Sequence, residues 1–225
     1  MKHPRVKYLL LAALASTATT APAFADTGKI GAAIKAGTSG IGGEVTIGLT
    51  PFINARTGVN AFNYDGSATE SDVRYNYSLR LKSYPVLLDW HPFEDSGFRI
   101  TSGVVINNNT LSATGAPQTS YTIGNTTYSA EEIGTLSGNV TFKHYAPFAG
   151  IGWGNAVGNH SALSFAVDLG VIFQGTPDVA LAASGSMATN ELFKADLDRE
   201  INTVKSKIND IKYYPVISLG LAYKF

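Results

Sequence analysis

The sequence predicts an all-β fold: an antiparallel, up-and-down transmembrane β-barrel of about eight strands, with one amphipathic helix in an outer loop. Three observations favour this fold. Residues 210–225 alternate between an apolar face and a mostly small or polar face, as a strand bordering two environments does. The same two-residue period recurs over most of residues 41–225, and short connections alternate with long ones. After the N-terminal segment no apolar stretch is long enough for a membrane helix, so a membrane-spanning chain must close its strands into a barrel.

The N-terminal segment has the three parts of a secretory signal peptide. It begins with three basic residues, Lys2, Arg5 and Lys7. A short apolar run follows at residues 8–15, and residues 23–25 read Ala-Phe-Ala, which is a typical cleavage site. A transmembrane anchor is the alternative, but it needs about 20 apolar residues, more than this run supplies. We expect residues 1–25 to be a signal peptide and residues 26–225 to be one β-barrel domain.

Composition excludes several classes of function. Removing the signal peptide takes away three of the 17 basic residues and none of the 17 acidic ones, which leaves a net charge of −3. A mildly acidic chain is not a general nucleic-acid binder, so no nucleic-acid partner is expected. There are no cysteines, which excludes disulfides and cysteine-based metal or redox sites.

The predicted strands follow one another along the chain. Five segments alternate cleanly: residues 41–49, 53–61, 73–82, 98–107 and 163–174. Residues 136–153 change parity midway, so we expect one bent strand with a bulge at residues 145–147, where a proline is tolerated. Residues 28–36 are short and rich in Gly and Ala, and they are either the first strand or a leading tail. With this segment and residues 210–225 the count is about eight.

The connections and the aromatic residues predict the orientation. Short links at residues 50–51, 91–97 and 155–161 fall on one side, and long links at 65–71, 108–135 and 175–209 fall on the other. Single-chain outer-membrane barrels show this asymmetry, with short periplasmic turns and long outer loops. Aromatic residues gather at the predicted periplasmic end, at Phe52, Trp90, Phe93, Phe98, Trp153, Tyr223 and Phe225. A second group lies at the predicted outer end, at Tyr64, Tyr75, Tyr77, Phe173 and Tyr213.

Two of the long links contain structure of their own. Residues 121–128 read as a small hairpin that turns at Gly124 and Asn125. Between residues 191 and 211 the period becomes helical, and Thr189 or Asn190 is a suitable N-cap. The apolar stripe of this helix consists of Leu197, Ile201, Val204, Ile208 and Ile211. Three roles are open: a lid that packs on the barrel rim or the hairpin, a helix in the lipid headgroup layer, or a docking surface for a partner.

The inward faces carry charge. We predict a lumen charge network of Glu44, Arg56, Arg74, Arg80, Lys82, Arg99, Lys143 and Asp168, and Lys212 and Lys224 also fall on inward faces. An eight-stranded barrel holds little more than its own side chains, so a general diffusion pore is not expected. Unpaired buried charges cost several kcal/mol, so the two acids should bridge neighbouring cations. The network is either a solvated plug that rigidifies the barrel, or a narrow anion-favouring path or binding cup.

Catalytic groups are few. His91, His144 and His160 are the histidines beyond the signal peptide, and their spacing does not suit a metal. His160 and Ser161 resemble the base and nucleophile of outer-membrane lipid A deacylases, but they fall in a predicted periplasmic turn, on the wrong side for the outer leaflet. We expect no enzyme activity and no cofactor.

The features above resemble those of small outer-membrane β-barrel proteins, the group of OmpA-like transmembrane domains and OmpX, Opa and OmpW types. The resemblance lies in residues 23–25, in the period-two segments and in the end of the chain, Leu-Gly-Leu-Ala-Tyr-Lys-Phe at residues 219–225. It implies a place in the outer membrane of a Gram-negative bacterium, among outer-membrane lipid and lipopolysaccharide. It also implies a C-terminal signal for the barrel-assembly machinery at Leu219, Leu221, Tyr223 and Phe225.

The resemblance implies a class of protein but no single activity. A structural or surface-interaction role, with a possible extracellular ligand, is the first expectation. A narrow transporter for small hydrophobic or anionic compounds, as in OmpW-type proteins, is the second. A lipid A-modifying enzyme is the third.

Overall fold

A computed structural model describes residues 27–70, 73–93, 96–117, 119–158 and 162–225. The described residues form thirteen strands: β1 (Ile30–Gly37), β2 (Gly40–Thr50), β3 (Ile53–Glu70), β4 (Val73–Trp90), β5 (Phe98–Asn107), β6 (Thr110–Pro117), β7 (Ser120–Ile123), β8 (Thr126–Ser129), β9 (Leu136–Thr141), β10 (Tyr145–Trp153), β11 (Leu163–Phe173), β12 (Asp178–Ala183) and β13 (Tyr213–Lys224). Two α-helices, α1 (Ala130–Ile133) and α2 (Glu191–Lys207), and a 3-10 turn (Asn209–Lys212) accompany them. Neither α-helix of the described part is long and apolar enough to cross a membrane.

Eight of these strands close an antiparallel barrel, which confirms the predicted fold class. Its order is β1, β2, β3, β4, β5, β10, β11 and β13, and β13 pairs back onto β1. The segment at residues 28–36 is therefore the first strand: β1 pairs with β2 on one side and with β13 on the other. The start of β1, the end of β13 and the connections β2–β3, β4–β5 and β10–β11 share one end of the barrel, the terminal end. The other end is the loop end.

Alternation along the strands separates two environments. Apolar side chains on the outer surface are widely exposed, as at Phe165 (72%) and Ile34 (69%), while charged side chains such as Arg56 and Asp168 are buried inside. A strand places successive side chains on opposite faces, so each strand supplies both surfaces at once. The result is the reverse of a water-soluble protein, with an apolar exterior and a polar interior.

A second sheet stands above the barrel at the loop end. The outer half of β4 leaves β5 and pairs with β6, and β9 and β12 continue the sheet beyond β6. We call the outer halves of β3 and β4, together with β6, β9 and β12, the outer sheet. Its polar face carries Asp65, Ser78, Ser112 and Asn139 in one cross-strand row.

The predicted bent strand at residues 136–153 is wrong. The structure has two strands there: β9 lies in the outer sheet between β6 and β12, whereas β10 lies in the barrel between β5 and β11. The parity change at residues 142–144 thus marks the passage of the chain from one sheet to the other and not a bulge. The two cases give the same local pattern, since each moves the apolar positions to the other parity.

The loop-end helices and hairpin form one unit, the outer cap, which comprises β7, β8, α1 and α2. The hairpin turns at Gly124 and Asn125 as predicted, and Gly124 has a φ of 61°, a value that glycine tolerates without strain. α2 begins after Asn190, whose side chain accepts hydrogen bonds from the backbone N–H groups of Leu192 (2.9 Å) and Phe193 (3.3 Å). Phe193 and Leu197 in the N-terminal half of the helix pack against Ile123 and Tyr128 of the hairpin, which is the lid arrangement.

Candidate functional site

The barrel interior is filled in three layers. Nearest the loop end is an apolar layer of buried side chains: Leu87, Val105, Ala146, Phe148 and Ile172. The ring of Phe148 lies directly over Gly170, where a Cβ would come within 2.5 Å of the ring. The glycine thus leaves the space that the aromatic ring fills. The side chains of this layer come from four neighbouring strands, β4, β5, β10 and β11.

The middle layer consists of six charged residues that we call the ion cluster. Its members come from six different strands: Lys35, Glu44, Arg56, Asp89, Arg99 and Asp168. Each is 7% exposed or less. Three are cations and three are anions, so the cluster has no net charge.

Arg56 is the centre of the ion cluster. Its Nη1 lies 3.0 Å from Oε1 of Glu44 and 3.2 Å from Oδ2 of Asp168, and its Nε lies 2.9 Å from Oδ2 of Asp89. One guanidinium thereby joins carboxylates from three strands. Arginine suits this role because its planar fork presents several donors in fixed directions.

Asp168 is the principal acceptor of the cluster. It accepts from Nζ of Lys35 at 2.5 Å, from Nη2 of Arg99 at 2.6 Å, and from the hydroxyl of Ser218 at 3.1 Å. Lys35 also lies 2.5 Å from Oε2 of Glu44. Every buried charge has at least one partner of opposite sign, which offsets the large cost of removing it from water.

The third layer, at the terminal end, is uncharged and polar. The side-chain amide of Asn54 donates to Oδ1 of Asn155 at 3.1 Å and lies 3.1 Å from Nε2 of His91. All three residues are buried. His91 is thus part of the interior packing.

Two small cavities approach the ion cluster from opposite ends. One of about 50 Å³ reaches it from the loop end, past Ser39 and Asn60. The other, of about 20 Å³, reaches it from the terminal end, past Asn54 and His91. Lys35, Glu44 and Arg56 line both cavities, so this part of the ion cluster lies between them. Each has room for only a few water molecules at most.

The structure brings together four of the eight residues predicted for the lumen network: Glu44, Arg56, Arg99 and Asp168. The sequence analysis did not predict two members of the ion cluster, Lys35 and Asp89. Lys35 lies in the Gly- and Ala-rich first strand, whose alternation is weak, and Asp89 follows a continuous apolar run that hides the period. If residues 28–36 had been assigned as a strand, alternation would have placed Lys35 on the face opposite to that of Ile34. Ile34 lies on the exposed outer face, so Lys35 would have been assigned to the interior.

Arg80, Lys82 and Lys143 lie outside the ion cluster, which corrects their prediction. β3 and β4 pair without a register shift over their whole length, so the inward positions of β4 run through Leu81, Ser83, Leu87 and Asp89. Arg80 and Lys82 therefore face outward, and Arg80 pairs with Asp65 at 2.9 Å. The outer half of β4 rises above the apolar band of the barrel exterior, and polar residues occupy its outward face there.

The remaining candidates lie elsewhere. Lys212 sits over the ring of Tyr213, at 5.2 Å from its centroid, and Lys224 donates to the carbonyl of Gly158 at 2.6 Å at the terminal end. His144 is exposed, with its ring against Tyr145. The side chain of Arg74 and all of His160 lie outside the described residues. The four residues of the predicted assembly signal, Leu219, Leu221, Tyr223 and Phe225, are exposed on the outer face of the barrel.

The outer cap has its own core. Its buried side chains are Ile123, Tyr128, Ile133, Phe193 and Leu197. The rings of Tyr128 and Phe193 meet edge to face with centroids 4.8 Å apart. The core fixes α2 against the hairpin.

A buried carboxylate joins the two parts of the cap. Asp196 of α2 accepts a hydrogen bond of 2.7 Å from the hydroxyl of Tyr128, and it also pairs with Arg199. Hydrogen bonds from the hydroxyls of Thr126 and Tyr128, and then the charge of Arg199, hold the pKa of Asp196 below its ordinary value. Asp196 is therefore ionised at neutral pH.

Among the described residues, no group of three acidic or histidine side chains is placed to hold a metal ion. The three acids of the ion cluster are each engaged by arginine or lysine. What this arrangement forms is a network of salt bridges across six strands.

Comparison with known proteins identifies the fold. No family model matches the sequence, and no curated protein matches it. Two crystal structures from Acinetobacter baumannii are similar to this chain over nearly its whole described length. CarO2 has a TM-score of 0.57 at 20% identity, with 88% of this chain and 98% of that chain covered. CarO has the same TM-score and identity, with 87% and 97% covered. At this identity the likeness is one of fold: a closed eight-stranded barrel.

Proposed function

We propose that the protein is an integral outer-membrane β-barrel with a structural or surface-interaction role, and not a general diffusion pore. The observation that carries the proposal is the pairing of an apolar, exposed exterior with an interior filled by the neutral ion cluster. An exposed apolar surface that surrounds a barrel is suited to lipid and is a liability in water.

The dimensions of the exterior support a place in the membrane. From Tyr213 to Tyr223, β13 rises about 25 Å if it is tilted by about 40° at roughly 3.3 Å per residue. Aromatic side chains are exposed near both ends of the barrel: Trp90, Trp153 and Tyr223 at the terminal end, and Tyr145, Phe173 and Tyr213 at the loop end. Such pairs of aromatic belts mark the two interfaces of a membrane.

A surface role is supported by what stands above the barrel. The outer sheet and the outer cap extend beyond the loop end, and the polar face of the sheet is open. A surface groove on that face is lined by Asp65, Ser67, Asn76, Ser112 and Thr114. Hydroxyl and amide groups on a rigid sheet are suited to polar ligands outside the cell.

The topology can be tested with single cysteines, because the native chain has none. Ser206→Cys, at the exposed end of α2, should react with a membrane-impermeant maleimide on intact cells. Ala162→Cys, exposed at the terminal end, should react only after the cells are broken. If only Ala162→Cys reacts on intact cells, the orientation is the opposite of the one proposed. Equal labelling of Ser206→Cys and Ala162→Cys on intact cells would contradict membrane insertion. Purified protein should also migrate differently on gels before and after heating.

A narrow transporter is a second candidate, since the two cavities approach Arg56 from opposite ends. Planar-bilayer recordings discriminate between the two roles. Reproducible anion-selective steps in wild-type protein that Arg56→Gln diminishes would favour transport. Silence of the wild type would favour the structural role.

A further inference from the structure

One sector of the barrel rim at the loop end carries cations on its lipid-facing side. Lys82 of β4 and Asn108, just after β5, are cross-strand neighbours, and the N–H of Asn108 donates to the carbonyl of Lys82 at 2.9 Å. The next strand reaches the rim at His144, whose carbonyl accepts from the N–H of Asn107 at 2.7 Å, and Lys143 precedes it. Because neighbouring strands are about 4.8 Å apart, the backbones of the two lysines are separated by about 10 Å. Lys82, Asn108 and Lys143 are all exposed, and we call them the rim site.

The surface directly below the rim site is aromatic and then aliphatic. Tyr84, Ile106 and Tyr145 form the next outward cross-strand row, and Tyr145 is 67% exposed. The row below that consists of Val86, Val104 and Pro147. Nζ of Lys82 lies 5.7 Å from the ring centroid of Tyr84. The outward face of this sector thus passes from aliphatic to aromatic to cationic over three consecutive rows.

The two lysines have no acidic partner among the described residues. Neither forms a salt bridge, and the nearby acids of the outer part are engaged elsewhere: Asp65 with Arg80 at 2.9 Å, and Asp178 with Lys205 at 3.0 Å. On the other side of the barrel, the β1–β2 turn presents Thr38 and Ser39 and no cation. Lys212, just before β13, is a further cation at this rim, and it lies over the ring of Tyr213. The sector from β4 to β10 is distinguished by two lysines in one outward row with an aromatic row directly below them.

We propose that the rim site binds a phosphate group of a phosphorylated glycolipid in the outer leaflet. The proposal rests on the proposed function, because it requires the apolar rows to lie in the membrane. An anionic headgroup would sit between the amines of Lys82 and Lys143, with the amide of Asn108 as a further donor. Its acyl chains would lie along the rows of Val86 and Tyr84. Amines that emerge just above an aromatic row match a headgroup phosphate in height and in charge.

A free phosphate or an acidic peptide would use only the charges of this sector. The glycolipid uses the charges and the apolar rows together, since both belong to one continuous outward face. That continuity decides in favour of a lipid.

The test is native mass spectrometry of the full barrel in mild detergent, with bisphosphorylated lipid A and its dephosphorylated form as probes. Lys82→Gln combined with Lys143→Gln should weaken binding of the phosphorylated lipid by roughly tenfold or more. Lys194→Gln combined with Lys207→Gln removes the same charge from the exposed side of α2 and should leave binding unchanged. Wild type should prefer the phosphorylated form.

Several results would overturn the proposal. Equal binding by the rim variant and the wild type would do so, as would equal affinity for the two lipids. Displacement of the lipid by millimolar inorganic phosphate would show a charge site without lipid contacts. Heat-modified gel migration checks that the variants are folded, and the cysteine labelling described above separates failure of the rim site from failure of membrane insertion.

Discussion

Asp168→Asn should destabilise the barrel strongly, because it removes one charge from a balanced cluster. The asparagine keeps the shape of the side chain and leaves the three buried cations, Lys35, Arg56 and Arg99, facing only two carboxylates. Lys35 and Arg99 lose partners at 2.5 and 2.6 Å, and Arg56 loses one at 3.2 Å. Removing one member of a buried ion pair typically costs about 3–5 kcal/mol, since the partner remains buried and uncompensated.

Urea unfolding of the protein in lipid vesicles, read by heat-modifiable gel migration, measures this loss. The matched control is Asp65→Asn, which breaks the exposed pair with Arg80 and should leave the unfolding midpoint nearly unchanged. A second variant, Asp168→Asn with Lys35→Met, restores the balance of charge and should recover a substantial part of the stability. If Asp168→Asn shifts the midpoint no more than Asp65→Asn does, the ion cluster does not stabilise the barrel.

Three further predictions concern the cap and the packing of the lumen. Hydrogen bonds hold the pKa of Asp196 below its ordinary value of 3.8. The stability that the ionised carboxylate adds to the cap is therefore present above pH 3.8 and is lost as the pH falls through the lowered pKa. Proteolysis of α2 should rise over that acidic range, and it should rise less steeply in Asp196→Asn. Phe193→Ala removes a fully buried side chain and should destabilise the cap by about 3–5 kcal/mol. Trypsin should then cleave α2 faster, while the barrel keeps its heat-modifiable gel migration. Loss of that migration would show that barrel and cap fold as one unit. Gly170→Ala should lower the stability measured in the urea assay by about 1–3 kcal/mol, because the added Cβ meets the ring of Phe148 at 2.5 Å. The control Gly43→Ala, whose Cβ has its nearest atom at 3.8 Å, should fold normally. Equal unfolding midpoints for the two variants would contradict the tight packing of the lumen.

The elements with strong local signals were predictable. The hairpin turn at Gly124 and Asn125 depends on residues adjacent in sequence, and α2 depends on the cap at Asn190 and a helical period. The barrel itself follows from alternation, because a strand between an apolar exterior and a polar interior must change chemistry at every residue. These features require no knowledge of distant contacts.

The misplaced residues have a common cause. A two-residue period shows which side chains share a face but not what that face meets. In β4 the period continues from Trp90 to Arg80, yet the outward side chains are apolar near Trp90 and charged at Arg80. Lys82 and Arg80 were therefore placed inside, although they point away from the lumen.

The amino-acid sequence by itself determined that alternating strands close into an eight-stranded barrel with charged groups inside, since backbone hydrogen bonding and side-chain period are local properties. Only the tertiary structure decided which charges meet. The ion cluster joins six strands between positions 35 and 168. Membership depends on the register around the closed barrel and on the height at which each strand rises above the apolar band of the exterior. Likewise, only the strand pairing shows that residues 136–153 form one strand of the outer sheet and one strand of the barrel. The sequence cannot distinguish the two, because strands in both sheets have the same two-residue period.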